Sequence, residues 1–273
     1  MSRASAVINV MEGAARKAAR SLIRDFGEVE QLQVSRKGPG DFVSEADRKA
    51  EAILRAELEK ARPDYGLMME ESAETIGNDP SRRWIVDPLD GTTNFLHGIP
   101  HFAISIGLED EGEIVAGVIY DPLKDEMFWA EKGVGAYLNR RRLRVSARAQ
   151  FADAIVATGI PFGNRPGKRS MLAILEPLMN QTAGVRRLGS AALDLAYVAA
   201  GRYDAFWEIG LSPWDIAAGI IIVREAGGFV SDAKGGNHML GSGTIIAANG
   251  RLHAPMHKLI HDATTAAGIS VTD

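Results

Sequence analysis

Apolar positions recur at helical spacing from the start of the chain: Val7, Ile8, Met11, Ala15, Ala18, Leu22 and Ile23 predict an amphipathic helix over residues 4–25. Gly38-Pro39-Gly40 cannot continue a regular element, so residues 35–42 read as a loop. Arg36 and Lys37 make that loop a candidate lid over an anionic ligand. A second helix is predicted over residues 45–61, where Ala46, Ala50, Ile53, Leu54 and Leu58 share a face. Ser44 and Asp47 stand at capping-box spacing at its start.

The period then shortens. Trp84-Ile85-Val86 predicts a short buried strand, and residues 102–108, 114–120 and 126–130 predict three successive strands. The second half alternates. Strands are expected at 154–157, 204–208, 229–231 and 244–248, with helices at 190–200, 213–225 and 253–267. No low-complexity linker or internal repeat interrupts this order. The expectation is one mixed α/β domain over residues 1–273, with two lobes at about 1–150 and 151–273.

Composition narrows the function more than the fold. The chain carries a formal net charge of -4, so bulk charge favours neither nucleic acid nor an anionic membrane as partner. Arg140-Arg141-Arg142 with Arg144 reads as a solvated edge, although a regulatory RNA or protein contact fits it too. The absence of cysteine excludes disulfides, thiol catalysis and thiolate zinc. With no apolar run of spanning length and no secretory pattern, a cytoplasmic location is expected.

The chemistry concentrates in Trp84-Ile85-Val86-Asp87-Pro88-Leu89-Asp90-Gly91-Thr92-Thr93-Asn94. An apolar strand ends in two carboxylates three residues apart, followed by turn residues, hydroxyls and backbone N–H groups. Asp-Pro and Asp-Gly each serve as ordinary turns elsewhere. Stacked behind a buried strand, they suit a hard divalent cation and an incoming phosphate. Glu70-Glu71-Ser72 adds acids after an apolar stretch, though such a pair also suits a solvated loop. Ser212-Pro213-Trp214-Asp215 is ordinary helix-start chemistry, and a helix start can equally present a carboxylate to a metal.

Together these segments resemble the inositol monophosphatase family. Glu70-Glu71-Ser72, Asp87 to Asn94, Trp214-Asp215 and Glu225-Ala226-Gly227-Gly228 look like its signatures, in the expected order. Asp41 to Asp47 looks like its N-terminal segment, and Arg186 to Asp194 followed by Ala199 to Arg202 resembles its bacterial members. Met69 departs from the glycine usual before the paired glutamates.

The resemblance implies a layered α-β-α-β-α sandwich of the sugar-phosphatase type, a homodimer, magnesium as cofactor, inhibition by lithium, and a small phosphorylated polyol as substrate. By motif, Glu70, Asp87, Asp90, Asp215 and the Leu89 carbonyl would ligate two or three magnesium ions. Glu70, Asp90 and Thr92 become the catalytic candidates, with Glu70 and Thr92 orienting a metal-activated water. Substrate contacts would come from the same groups, the Gly91 and Thr92 amides, Arg186, Ser190, Ala191 and Glu208. Asp47 suits either an outer metal or the helix cap. Inositol 1-phosphate is the favoured ester; histidinol phosphate, fructose 1,6-bisphosphate and phosphoadenosine phosphate are alternatives, as is a regulatory protein that keeps the fold.

Other readings are weaker. Gly241-Ser242-Gly243 lacks the third glycine of a dinucleotide loop, and His253, His257 and His261 line one face of a terminal helix as an improbable zinc site. Haloacid dehalogenase phosphatases separate their aspartates by one residue; here two lie between Asp87 and Asp90.

Overall fold

The computed structural model describes residues 4–28, 34–38, 41–163 and 165–272, with 34–38 and 41–44 described at the backbone only. Helix α1 (Ala6–Phe26) buries Ile8, Met11, Ala15, Ala18 and Leu22 of the predicted stripe, while Val7 is half-buried and Ile23 is exposed. Strands β1 (Val34–Gly38) and β2 (Asp41–Ser44) pair antiparallel, with Val34 opposite Ser44. The expected loop at 35–42 is therefore a hairpin; Pro39 and Gly40 lie outside the described residues. Turn residues marked the reversal but not the pairing of its flanks, because those flanks lack an apolar alternation.

Helix α2 (Glu45–Ala61) packs beside α1, and both cover one face of a seven-stranded sheet. That sheet runs in spatial sequence through β3 (Tyr65–Met69), β4 (Asp79–Asp90), β5 (Ala103–Asp110), β6 (Glu113–Asp121), β7 (Glu126–Glu131), β8 (Gly135–Leu138) and β9 (Arg141–Arg142). The five-residue α3 (Thr92–Leu96) leaves directly from the end of β4.

The second sheet has five strands, ordered β11-β10-β12-β14-β13. Its elements are β10 (Ile155–Thr158), α4 (Lys168–Gln181), β11 (Gly184–Arg186), α5 (Ala191–Ala199), β12 (Ala205–Ile209), α6 (Pro213–Glu225), β13 (Phe229–Ser231), α7 (Met239–Ser242), β14 (Thr244–Ala248) and α8 (His253–Ala266). Helices α5 and α6 lie between the sheets; every residue of α5 is buried, as is the run from Ile216 to Val223 of α6. Helices α4 and α8 cover the outer face of the second sheet. The layers therefore run α-β-α-β-α.

A helix buried on all sides must be apolar on all sides, which is why α6 reads as continuous Ile and Ala rather than as a stripe. The site draws on this middle layer, because the first turns of α5 and α6 reach it from between the sheets.

Candidate active site

Strand β4 continues through Asp90, well beyond the Trp84-Ile85-Val86 expected from its apolar run. Its register with β5 shifts between Asp87, opposite Ser105, and Asp90, opposite Ala103. Pro88 and Leu89 on one strand thus face Ile104 alone on the other, a bulge. In a regular strand, residues three apart point to opposite faces. The extra residue cancels that alternation and brings Asp87 and Asp90 to one side. Gly91 then takes φ 98°, a left-handed conformation open to glycine at little cost, and turns the chain into α3.

The third carboxylate arrives from the middle layer. Asp215 sits in the first turn of α6, where one oxygen accepts from the Ser212 N–H at 2.7 Å. Ser105, directly opposite Asp87 on β5, donates to the Trp214 carbonyl at 3.2 Å and fixes that helix start against the first sheet. Asp87, Asp90 and Asp215 each offer an oxygen within 4.8 Å of the others. Among the described residues they form the one such group of acids or histidines. His253, by contrast, pairs with Ser231 at 3.1 Å.

Each of the three is held in place by the fold. Asp87 accepts from the Leu89 N–H at 2.9 Å. Asp90 accepts from the Ser190 hydroxyl at 2.5 Å and the Ala192 N–H at 2.8 Å, both at the start of α5. Glu70 follows β3, which pairs parallel to β4 with Met69 opposite Val86, so the chain emerges beside Asp87. It lies outside the group of three. Met69, the departure from the usual glycine, is buried in the core beneath the first sheet.

Burial and crowding make ionisation costly. Burial first, then the charges of Glu70, Asp90 and Asp215, hold Asp87 well above the usual carboxylate range. Burial and Asp90 do the same to Asp215. Burial pushes Asp90 up to about 6, opposed by its hydrogen bonds from Ser190, Ala192 and Ala191. Two unit charges ~4 Å apart repel by about 4 kcal/mol at an effective dielectric near 20. Two buried carboxylates and a half-buried third, with the Leu89 carbonyl nearby, are an all-oxygen donor set, which fits a hard divalent cation.

Around this group opens a cleft of about 810 Å³. Gly91 and Thr92 line one part of it, Ala191 and Glu208 another. The Thr92 hydroxyl lies 3.1 Å from both Asp47 Oδ1 and the Leu89 carbonyl. Asp47 is fully buried and its carboxylate meets Thr92, a contact that capping-box spacing did not anticipate. Ser190 stands behind Asp90 instead of on the cleft wall.

Arg186 does not reach the cleft. It is exposed at the end of β11, donating to its neighbour Val185, while Arg187 lines the cleft and stacks over the Phe162 ring at 5.0 Å. Successive strand residues point to opposite sides, and the sequence alone did not say which of the two arginines faces in. Arg165 and Asp194 also line the cleft and were not among the expected site residues. The one sequence signal for Asp194 is a lone charge in the apolar helix Ala191–Ala199.

Residues 3–265 match the model of the inositol monophosphatase family. The chain belongs to this family. It is 62% identical over 245 residues to an inositol-1-monophosphatase of Mesorhizobium japonicum, covering 90% of this chain and 92% of that protein. It is 45% identical to a protein named Nus factor SuhB from Escherichia coli, over 90% of this chain and 92% of the other. Its fold matches the crystal structure of an extragenic suppressor protein suhB from Bartonella henselae with a TM-score of 0.91 and 59% identity, covering 94% of this chain and 98% of that one. The inositol monophosphatase family uses divalent metals, and the acidic group at Asp87, Asp90 and Asp215 is a site of that kind. No helix among the described residues is long and apolar enough to cross a membrane.

Proposed function

We propose that this chain is a magnesium-dependent phosphomonoesterase that hydrolyses inositol 1-phosphate to inositol and inorganic phosphate. The observation that carries the reading is the convergence of Asp87, Asp90 and Asp215 within 4.8 Å beside the Gly91 turn. These three, with Glu70 and the Leu89 carbonyl, would hold the magnesium. When bound, magnesium supplies Lewis acidity, making water a nucleophile at neutral pH and offsetting charge on the phosphate and leaving oxygens.

The remaining work falls to the chain. With its proton donated to Asp47, the Thr92 hydroxyl presents lone pairs to the cleft and orients an attacking water by accepting from it. Glu70, across the cleft, takes the proton that water loses. The Gly91 and Thr92 amides face the phosphate. Glu208 accepts hydrogen bonds from the polyol hydroxyls, and Ala191 shapes the wall beside it. Ser190 acts through Asp90, fixing the carboxylate by its hydroxyl.

The test is phosphate release, with and without magnesium, across inositol 1-phosphate, histidinol phosphate, fructose 1,6-bisphosphate and phosphoadenosine phosphate. The proposal expects inositol 1-phosphate to lead and millimolar lithium to inhibit. A regulatory reading has one observation behind it, the relatives at 45% identity named Nus factor SuhB. The intact acidic set favours catalysis, and a purified protein inactive on all four esters would favour regulation. We further propose a cytoplasmic homodimer; exposed Ile99 and Leu188, both bonded through their backbones to Asn94, supply apolar surface for it.

A further inference from the structure

Asp194 is the only charged residue of α5, and it is 2% exposed. Its Oδ1 is buried without a hydrogen-bond partner among the described residues. Yet the residue lines the cleft, together with Thr158, Gly159 and Glu208. A buried polar atom left unpaired is costly, so it calls for a partner that the chain itself does not supply.

Glu208 reaches the same place from β12. Its carboxyl lies against Gly159, where a Cβ would fall 1.8 Å from Oε1, so only glycine leaves room for it. Burial first, and Glu208 second, hold the Asp194 carboxyl well above its ordinary range, so the two acids act on each other across this part of the cleft. Arg187 and Arg165 act on Glu208 in the opposite sense. The arginines oppose the shift of Glu208 without cancelling it, and neither Asp194 nor Glu208 joins the group that could share an ion. What is missing is a donor without charge. A polyol offers such donors on adjacent carbons.

We propose that Asp194 is a second polyol-recognition residue, which with Glu208 holds the hydroxyls of the phosphorylated substrate on the Gly159 side of the cleft. The assignment rests on the proposed phosphatase reading and adds a specificity-determining contact to it. Asp194 takes no part in the proton transfer; it touches the leaving group and discriminates among alcohols.

The experiment compares kcat/KM for inositol 1-phosphate and for p-nitrophenyl phosphate, whose leaving group carries no further hydroxyls. It uses the full chain with saturating magnesium, and the variants Asp194→Ala and Asp194→Asn. Asp194→Ala is expected to lose about tenfold on inositol 1-phosphate, mainly in KM, and to keep its aryl phosphate activity. Asp194→Asn retains an accepting oxygen and should recover part of the preference. Equal loss on both substrates assigns the residue to the scaffold and overturns the proposal, as does no loss on either. If the alanine variant does not fold, the near-isosteric asparagine variant decides by the same ratio. Wild-type protein that leaves inositol 1-phosphate intact overturns the proposed function itself; wild-type turnover with an unchanged ratio in the variants overturns only the role of Asp194.

Discussion

Asp87, Asp90 and Asp215 pay for their closeness in the metal-free chain, and this has a measurable sign. Asp90 is raised from 3.8 to about 6, and Glu208 from 4.5 to about 8. A folded carboxyl with a raised pKa binds its proton more tightly than the unfolded one. Its stabilising effect is complete below the ordinary pKa and lost as pH rises through the folded value. Metal-free protein should therefore melt at a lower temperature near pH 8 than near pH 6. Magnesium should shrink that difference by neutralising the aspartates. A melting temperature that climbs with pH in the absence of metal would contradict this picture. Above pH 8, where Glu208 is ionised, Glu208→Gln should cost inositol 1-phosphate turnover about tenfold, since a hydrogen bond to a charged group is worth ~1.5–3 kcal/mol. Glycerol 2-phosphate, without the ring hydroxyl pair, should suffer less. Equal slowing of both would place Glu208 in the scaffold. Most of these residues were legible as motifs. Arg187 and Asp194 were not, because a motif gives residue identity without the side a strand or helix presents.

Ser190 shows how one element serves both stability and the site. Its hydroxyl accepts from the Leu193 N–H at 3.3 Å as the N-cap of α5, and donates to Asp90 at 2.5 Å. Ser190→Ala should lower stability by about 1 kcal/mol, a typical N-cap loss. It should also raise the magnesium concentration needed for half-maximal activity, because Asp90 loses one of its tethers and keeps only the backbone N–H groups of Ala191 and Ala192. A variant with lowered stability and an unchanged magnesium requirement would leave Ser190 as a cap alone. At this scale the sequence was informative: α2 lies where its periodic apolar face put it, and α6, β13 and β14 lie where their apolar runs put them. It was silent on the β4 bulge, since Asp-Pro-Leu-Asp-Gly reads as a turn and only pairing with β5 shows the strand continuing. Helix α4 was also missed; Pro177 lies inside it and Gly163 and Gly167 precede it, so breaker signals outweighed its apolar face.

In the whole molecule, no layer contains the site. Glu70, Asp87 and Asp90 come from the first sheet, Asp215 and the Ser190 cap from the middle helices, and Glu208 from the second sheet. The cleft therefore depends on how α5 and α6 pack both sheets together. The layered order was implied by family resemblance, while the pattern of elements alone supported only a mixed α/β class. Sedimentation at micromolar concentration should give a homodimer, and a monomer throughout would exclude it. The central claim concerns the acidic group, and Asp90→Asn tests it most directly. The measurement is phosphate released from inositol 1-phosphate by wild-type and variant protein over a magnesium titration, with folding checked by circular dichroism. The account predicts wild-type activity that vanishes without magnesium, and a folded variant slowed by about 100-fold or more, since it loses one metal-binding charge. Near-normal turnover by the folded variant, or full wild-type activity without divalent metal, would contradict it.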